Sequence, residues 1–292
     1  MSGTSLEGIH TRAPASQASP QALHVALLSD PGLASERNQD AVLALQFAVA
    51  KRGEMPLPVG LFLMADGLGG HAQGEEASAL AVRQAADHIV RTLCLPLLTE
   101  GREAVADTPI NELLERATYL AHDALLHRLP KARTTLTIAL VVGEGVYLAH
   151  AGDTRAYLGA LDGLRPLVRD HSMAARLLEM EQMAAGEILD QRRVLYKALG
   201  QGPRVEPDLG YDTLPAGGYL LLCTDGLWSQ VDDDEMAGIV GHAPALADAC
   251  TRLVALARER GGDDNISVLL AAGCWPLQAP PRASFGDAIL AT

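Results

Sequence analysis

Aromatic side chains are scarce in this chain: three Phe, six Tyr and two Trp in 292 residues, or 4%. A core built on stacked rings is excluded, and Leu, Val, Ala and Ile must fill the interior. Cysteine is rarer still. Cys94, Cys223, Cys250 and Cys274 fall at no metal-binding spacing, which argues against a zinc site or a disulfide scaffold and for reduced, buried thiols of a cytoplasmic protein. No apolar run reaches membrane-spanning length, and the first residues show no basic segment followed by an apolar one, so neither a membrane span nor a signal peptide is expected. Positive charge is the third shortage. Lys and Arg number 23 against 36 Asp and Glu, a formal net charge of -13, which disfavours nucleic acid and anionic lipid as partners.

What is present describes a folded protein. Hydrophobic residues make up 48% and charged residues 20%, as in globular chains. Residues 1–20 are rich in Ser, Ala, Thr and Pro and read as a flexible tail. Residues 21–272 show no internal repeat and no linker, so they read as one domain, and residues 273–292 as a Pro/Ala-rich second tail.

One stretch organises the rest. Leu61-Phe-Leu-Met-Ala-Asp66-Gly67 is an apolar run that stops at an aspartate and continues as Leu68-Gly69-Gly70-His71. A buried strand delivering a carboxylate to the core's edge is costly unless something pairs with it. The glycine permits close backbone approach, and a hard divalent cation takes carboxylate and carbonyl oxygens together. The same grammar recurs at Asp225-Gly226 after Tyr219–Cys223, at Gly152-Asp153 after Tyr147–Ala151, at Asp264-Asn265 before Ile266–Ala272, and at Asp40 before Ala41–Ala50. Each aspartate alone could be a turn cap. Together, at successive strand ends, they point to metal ligation. The glycines do not form a nucleotide-binding fingerprint, and no Cys/His set suits zinc.

Between these points the periodicity predicts strands at 23–28, 41–50, 59–65, 136–142, 146–150 and 155–158. A helix from Glu75 is expected to end at Pro96, and a second to span 109–129. Ser172 is a candidate N-cap for a methionine-bearing core helix over Met173–Met183. Asp232–Glu235 reads as the acidic first turn of another helix, and 244–260 as a further one. Strands and helices do not alternate regularly, which excludes a doubly wound fold or a barrel and fits sheet packed on sheet with helices outside.

These segments, with Ser29–Gly32, Asn38–Asp40, Gly74-Glu75, Thr134-Thr135, Gly152–Tyr157, Asp170–Ser172, Ala198–Gly200 and Thr224–Trp228, resemble the metal-dependent Ser/Thr protein phosphatases of the PPM (type 2C) family in compact bacterial form, over roughly residues 23–272. The resemblance implies an α+β fold: a four-layer α-β-β-α sandwich with two central antiparallel sheets flanked by helices. It implies two Mn2+ or Mg2+ ions per chain, with a possible third. Asp66 would bridge the pair, the Gly67 carbonyl would bind one ion, Asp225 and Asp264 would hold one, and Asp40 would complete the centre. Asp153, with Asp225, would take the third ion. The activity implied is hydrolysis of phosphoserine and phosphothreonine by water activated between the metals. The implied partners are phosphorylated proteins made by Ser/Thr kinases, with the chain acting as a monomer.

The chain departs from its relatives at Ser35, where an arginine commonly binds phosphate. Arg37 is the substitute clamp if the segment is extended, because residues 35 and 37 then share a face. Leu68 stands where the eukaryotic branch has a histidine. His71 either orients a water or ligand or makes a structural hydrogen bond to the turn. Asn265 is expected to support the loop carrying Asp264, His171 to be a cap or surface group, and Asp263 to face solvent. A catalytically weak phosphoprotein-binding module and a small-molecule phosphohydrolase are the competing readings.

Overall fold

The computed structural model describes residues 22–68, 72–160, 163–180 and 194–273. The chain opens with β1 (His24–Asp30), followed by a hairpin of β2 (Asp40–Val49) and β3 (Leu57–Leu68). The β2–β3 turn closes where Glu54 N–H donates to Lys51 O at 3.0 Å around Gly53, whose φ of 85° suits a residue without Cβ. After α1 (Ala72–Ile89), α2 (Leu95–Thr99) and α3 (Ile110–Arg128) come β4 (Arg133–Thr134), β5 (Leu136–Val142), β6 (Gly145–Ala151), β7 (Arg155–Ala160) and β8 (Gly163–Pro166). The chain continues through α4 (Met173–Glu179), β9 (Asp208–Thr213), β10 (Tyr219–Cys223), α5 (Asp225–Trp228), α6 (Asp233–Gly241), α7 (Leu246–Glu259) and β11 (Ile266–Ala272).

The strands form two antiparallel sheets. One is five-stranded in the order β1-β11-β10-β7-β8. The other is six-stranded, β2-β3-β5-β6-β9 with β4 paired to β3. Period-two alternation explains why the central strands are apolar throughout. In β3, Phe62 and Met64 enter the layer between the sheets, while Leu61 and Leu63 face α1 and α3. In β10, Leu220 and Leu222 meet that layer, and Leu221 and Cys223 pack toward α6 and α7. Each such buried side chain contributes about 1.5–3 kcal/mol. The expected four-layer sandwich is therefore the observed architecture.

Several local expectations change. The helix does not stop at Pro96, which lies in the first turn of α2. A π-helical turn at Val90–Cys94 comes first, and Leu95 N–H reaches back five residues to Val90 O. The α-ladder is already out of register where Pro96 lacks its donor. Strands β8 and β9 were not legible. Both are sheet edges, and β9 carries two Asp and a Gly, so neither shows an apolar run. Ser172 does cap α4, its hydroxyl accepting from Ala175 N–H at 3.2 Å. That helix is core on one face only: Ala174 is buried, but Leu178 and Met180 are 46% and 54% exposed. Asp232–Glu235 opens α6 as expected, with Glu235 accepting from Asp232 N–H at 3.4 Å.

Cys94, Cys223 and Cys250 are buried free thiols, and burial pushes Cys94 up to about 11 and Cys250 up to about 12. Cys274, Met183 and, apart from Gly273, both expected tails lie outside the described residues. Among the described residues, no helix is long and apolar enough to cross a membrane.

Candidate metal centre

The cleft lies at one end of the sandwich, where both sheets deliver strand termini. Asp40 opens β2 directly opposite Asp66 in β3. Two facing carboxylates repel in an ordinary ladder, so this pairing asks for a cation or a proton. The Asp66 backbone is fully engaged by the start of β5: Asp66 N–H donates to Thr135 Oγ1 at 2.8 Å, and Asp66 O accepts from Thr135 N–H at 2.9 Å and Thr134 Oγ1 at 2.8 Å. The carboxylate is left for the cleft. Gly67 follows, where a Cβ would stand 2.1 Å from Gly74 O, so only glycine lets the first turn of α1 close over this carbonyl.

Asp40 is gripped from the opposite sheet. Its Oδ2 accepts from Thr224 Oγ1 at 2.9 Å and Ser267 Oγ at 2.6 Å. Its Oδ1 is buried without a protein partner. Asp225 is the first residue of α5, just after Thr224 at the N-cap position, and Gly226 packs so tightly on the next loop that a Cβ would sit 2.1 Å from Asn265 O. Asn265 fastens Asp264 in place. It accepts from Gln39 N–H at 2.7 Å and donates to Pro31 O at 2.8 Å and Arg37 O at 3.0 Å, while its own N–H donates to Asp264 Oδ1 at 2.9 Å. The supporting role expected of Asn265 is thus visible in its bonds, and Asp263 is exposed.

Asp153, 5% exposed, completes the set at the β6–β7 turn. Its Oδ1 likewise has no protein partner. Its carbonyl accepts from Trp228 Nε1–H at 3.0 Å, and Trp228 carries the Arg155 guanidinium 3.7 Å above its ring. Arg155 in turn binds the Asp170 carboxylate through Nε and Nη2.

Asp66, Asp153, Asp225 and Asp264 line an open cleft of about 300 Å³ with Gln39, Gly67, Leu68 and Asn265. Burial drives Asp40 up to about 7, with Asp225 and Asp264 pushing the same way against the hydrogen bonds from Ser267 and Thr224. Burial, then Asp225, Asp40, Asp153 and Asp264, raise Asp66 well above the carboxylate range. Asp153 goes up to about 8 through burial, Asp225 and Asp170. Carboxylates this crowded suit divalent cations, and every donor is a hard oxygen, as Mn2+ and Mg2+ prefer. Among the described residues no three of these groups stand in a closed ligand cage. The fit is therefore one of donor chemistry, orphaned oxygens and placement.

Other expectations fare differently. His71, with Gly69 and Gly70, lies outside the described residues. Arg37 is exposed and does not line the cleft; its N–H donates to Ser35 Oγ at 3.1 Å within a bend, so the extended geometry that would align residues 35 and 37 is absent. His171 is neither surface nor cap, being 1% exposed. Sequence reasoning missed Gln39 and Leu68 as cleft walls. It also missed Arg133, an exposed residue paired with Leu68 across β3–β4. Cross-strand partners share a face, and Leu68 shares its face with Asp66, so Arg133 stands on the side of the Asp66 carboxylate.

Comparison with known proteins agrees with this geometry. The family described as Protein phosphatase 2C matches residues 34–271, and the chain belongs to that family. A serine/threonine phosphatase stp of Listeria innocua is 33% identical over 212 residues, covering 72% of this chain and 83% of the relative. The S. agalactiae serine/threonine phosphatase superimposes with a TM-score of 0.73 at 27% identity, covering 86% of this chain and 99% of that one. The catalytic domain of the serine/threonine phosphatase PstP, solved in complex with two manganese ions, does so with a TM-score of 0.66 at 29% identity over 86% of this chain and 97% of that one.

Proposed function

We propose that this chain hydrolyses phosphoserine and phosphothreonine in proteins at a binuclear Mn2+ or Mg2+ centre, with a third, weaker ion at Asp153. The observation that carries the reading is the convergence of Asp66, Asp153, Asp225 and Asp264 from both sheets on one cleft, with Asp40 paired opposite Asp66 and burial raising Asp40, Asp66 and Asp153. Asp66 sits centrally, its backbone immobilised by Thr134 and Thr135, and would bridge the pair with help from the Gly67 carbonyl. Asp225 and Asp264 would hold one ion, and the free Oδ1 of Asp40 would face the same space. When bound, the cations supply water of lowered pKa and positive charge for the departing phosphate. The protein's part is rigid placement: α5 aims Asp225, Asn265 locks the Asp264 loop, and the two threonines hold Asp66. Net charge and the buried thiols support a cytoplasmic enzyme acting on kinase products, without nucleic-acid or anionic-membrane partners.

The test is phosphopeptide turnover with Mn2+, with Mg2+ and with chelator, on the wild type and on Asp66→Asn and Asp225→Asn. Each variant is expected to stay folded, bind Mn2+ more weakly by calorimetry and lose turnover, because each removes charge where cations need it. Activity that survives exhaustive chelation, or full activity in either variant, overturns the reading. A folded wild type that binds phosphopeptide without turnover would make it a regulatory module, and turnover confined to small esters a small-molecule phosphohydrolase.

A further inference from the structure

The Asp170-His171-Ser172 segment is left without a role by the metal centre, yet its histidine is one of the most tightly fixed side chains near it. His171 binds both polar backbone groups of Gly152, the residue before Asp153: His171 N–H donates to Gly152 O at 2.7 Å, and Gly152 N–H donates to His171 Nδ1 at 3.0 Å. Gly152 has a φ of 126°, and a Cβ there would lie 2.5 Å from Thr135 Cβ, so the turn is of a kind that only glycine makes and that needs outside support.

The ring is clamped on every side. His150 stacks on it with centroids 4.8 Å apart, and the Tyr196 ring meets it at 5.4 Å and 67°. Because Nδ1 accepts from Gly152, the ring proton sits on Nε2, which lies 3.1 Å from Asp208 Oδ2 on β9. His150 is fixed in turn: its Nε2 bonds Arg169 O at 3.0 Å and its Nδ1 faces Thr137 Oγ1 at 2.9 Å. With Nδ1 taken by Gly152 N–H, Nε2 turned toward Asp208 and 1% exposure, His171 cannot reach a substrate and is no acid or base of the reaction.

We infer that His171 is a positioning residue that aims Asp153 into the cleft by holding Gly152 through Nδ1, so that the affinity for the cation taken by Asp153 depends on a hydrogen-bond acceptor at that place. The inference rests on the proposed metal role of Asp153. Support to a ligand from one residue away is the kind whose loss costs about 10–100-fold in metal affinity.

Two polar variants separate positioning from bulk packing. His171→Asn sets an oxygen near the position of Nδ1, whereas His171→Gln sets its polar atoms near Nε2 and leaves Gly152 N–H without an acceptor. Mn2+ titrations by calorimetry and by phosphopeptide turnover are compared for the wild type, both variants, Asp153→Ala, and Asp153→Ala/His171→Gln. His171→Gln is expected to raise the Mn2+ concentration for half-maximal response about tenfold or more, as Asp153→Ala does, with the tightly bound ions retained; His171→Asn stays within about threefold of the wild type. The double variant should be no worse than Asp153→Ala, since residues acting through one group are not additive. Equal titrations for Asn and Gln, or a double variant worse by the product of the two losses, overturn the inference. If Asp153→Ala itself leaves the titration unchanged, the metal reading of Asp153 is what fails.

Discussion

Stripping divalent cations should make the protein lose stability as pH rises from 6.5 to 8.0, against the usual expectation for an acidic chain whose carboxylates are already ionised. An unfolded Asp titrates near 3.8, whereas in the fold Asp40 keeps its proton up to about 7 and Asp153 up to about 8. Between these values the folded state binds more protons than the unfolded one, so stability is present at lower pH and falls as pH passes the folded pKa values. Below 6.5 the histidines act in the opposite sense. Burial lowers His88, His122, His150 and His171, so the unfolded chain holds the extra protons and stability rises toward neutrality. Unfolded histidines are still about half protonated at 6.5, so they offset part of the carboxylate slope in the lower half of the window, and the fall is steepest above about pH 7.5. Integrating the proton uptake of Asp40 and Asp153 over that window gives about 2 kcal/mol before the histidine offset, and Asp66, which burial raises well above the carboxylate range, adds in the same sense. For a domain of this size that is roughly 5 °C in Tm. Thermal unfolding in chelator at several pH values measures it directly. Saturating Mn2+ should abolish the slope by stabilising the ionised carboxylates. Asp153→Asn, with no proton to lose, should remove about two thirds of the contribution of Asp40 and Asp153 and raise the chelated Tm at pH 8.0. A Tm in chelator that is flat or rises over the window, or an unchanged slope in Asp153→Asn, refutes the reasoning.

Asn265→Ala removes three side-chain hydrogen bonds that tie 31–39 to the Asp264 loop, and is expected to cost about 2–3 kcal/mol in urea unfolding and about tenfold in Mn2+ affinity. Arg133→Ala is expected to raise KM for a phosphopeptide about tenfold with Mn2+ affinity kept, the loss of one charge-assisted contact beside Leu68, whereas Arg37→Ala, away from the cleft, should leave KM within about twofold. A raised KM in Arg37→Ala together with an unchanged one in Arg133→Ala would return the clamp to the segment before β2.

The parts of the site legible in sequence are those coded locally. An apolar run cut by Asp66-Gly67 or followed by Asp225-Gly226 states within a few residues that a strand ends in a carboxylate and that the backbone turns sharply there. The structure places those aspartates, with Asp264 and Asp153, on one cleft. What the sequence could not show depends on register between distant strands. That Asp40 faces Asp66 depends on the register of the β2–β3 hairpin, and that Thr224 and Ser267 reach across from the other sheet to hold its Oδ2 depends on contacts about two hundred residues apart. The same limit hid β8 and β9, edge strands with little apolar surface to bury, and Arg133, whose place beside the cleft exists only through its partner Leu68. His171 is the sharpest case. In sequence it is a polar residue between an aspartate and a capping serine, which is how a surface turn is written. In the fold it is buried because Gly152, nineteen positions earlier, needs an acceptor and a donor at once. A buried polar group must be matched, and here the match lies across a turn that no local pattern encodes. The carboxylates that bind a cation can therefore be read from the chain, while the residues that make them bind it well are set by the packing of the two sheets.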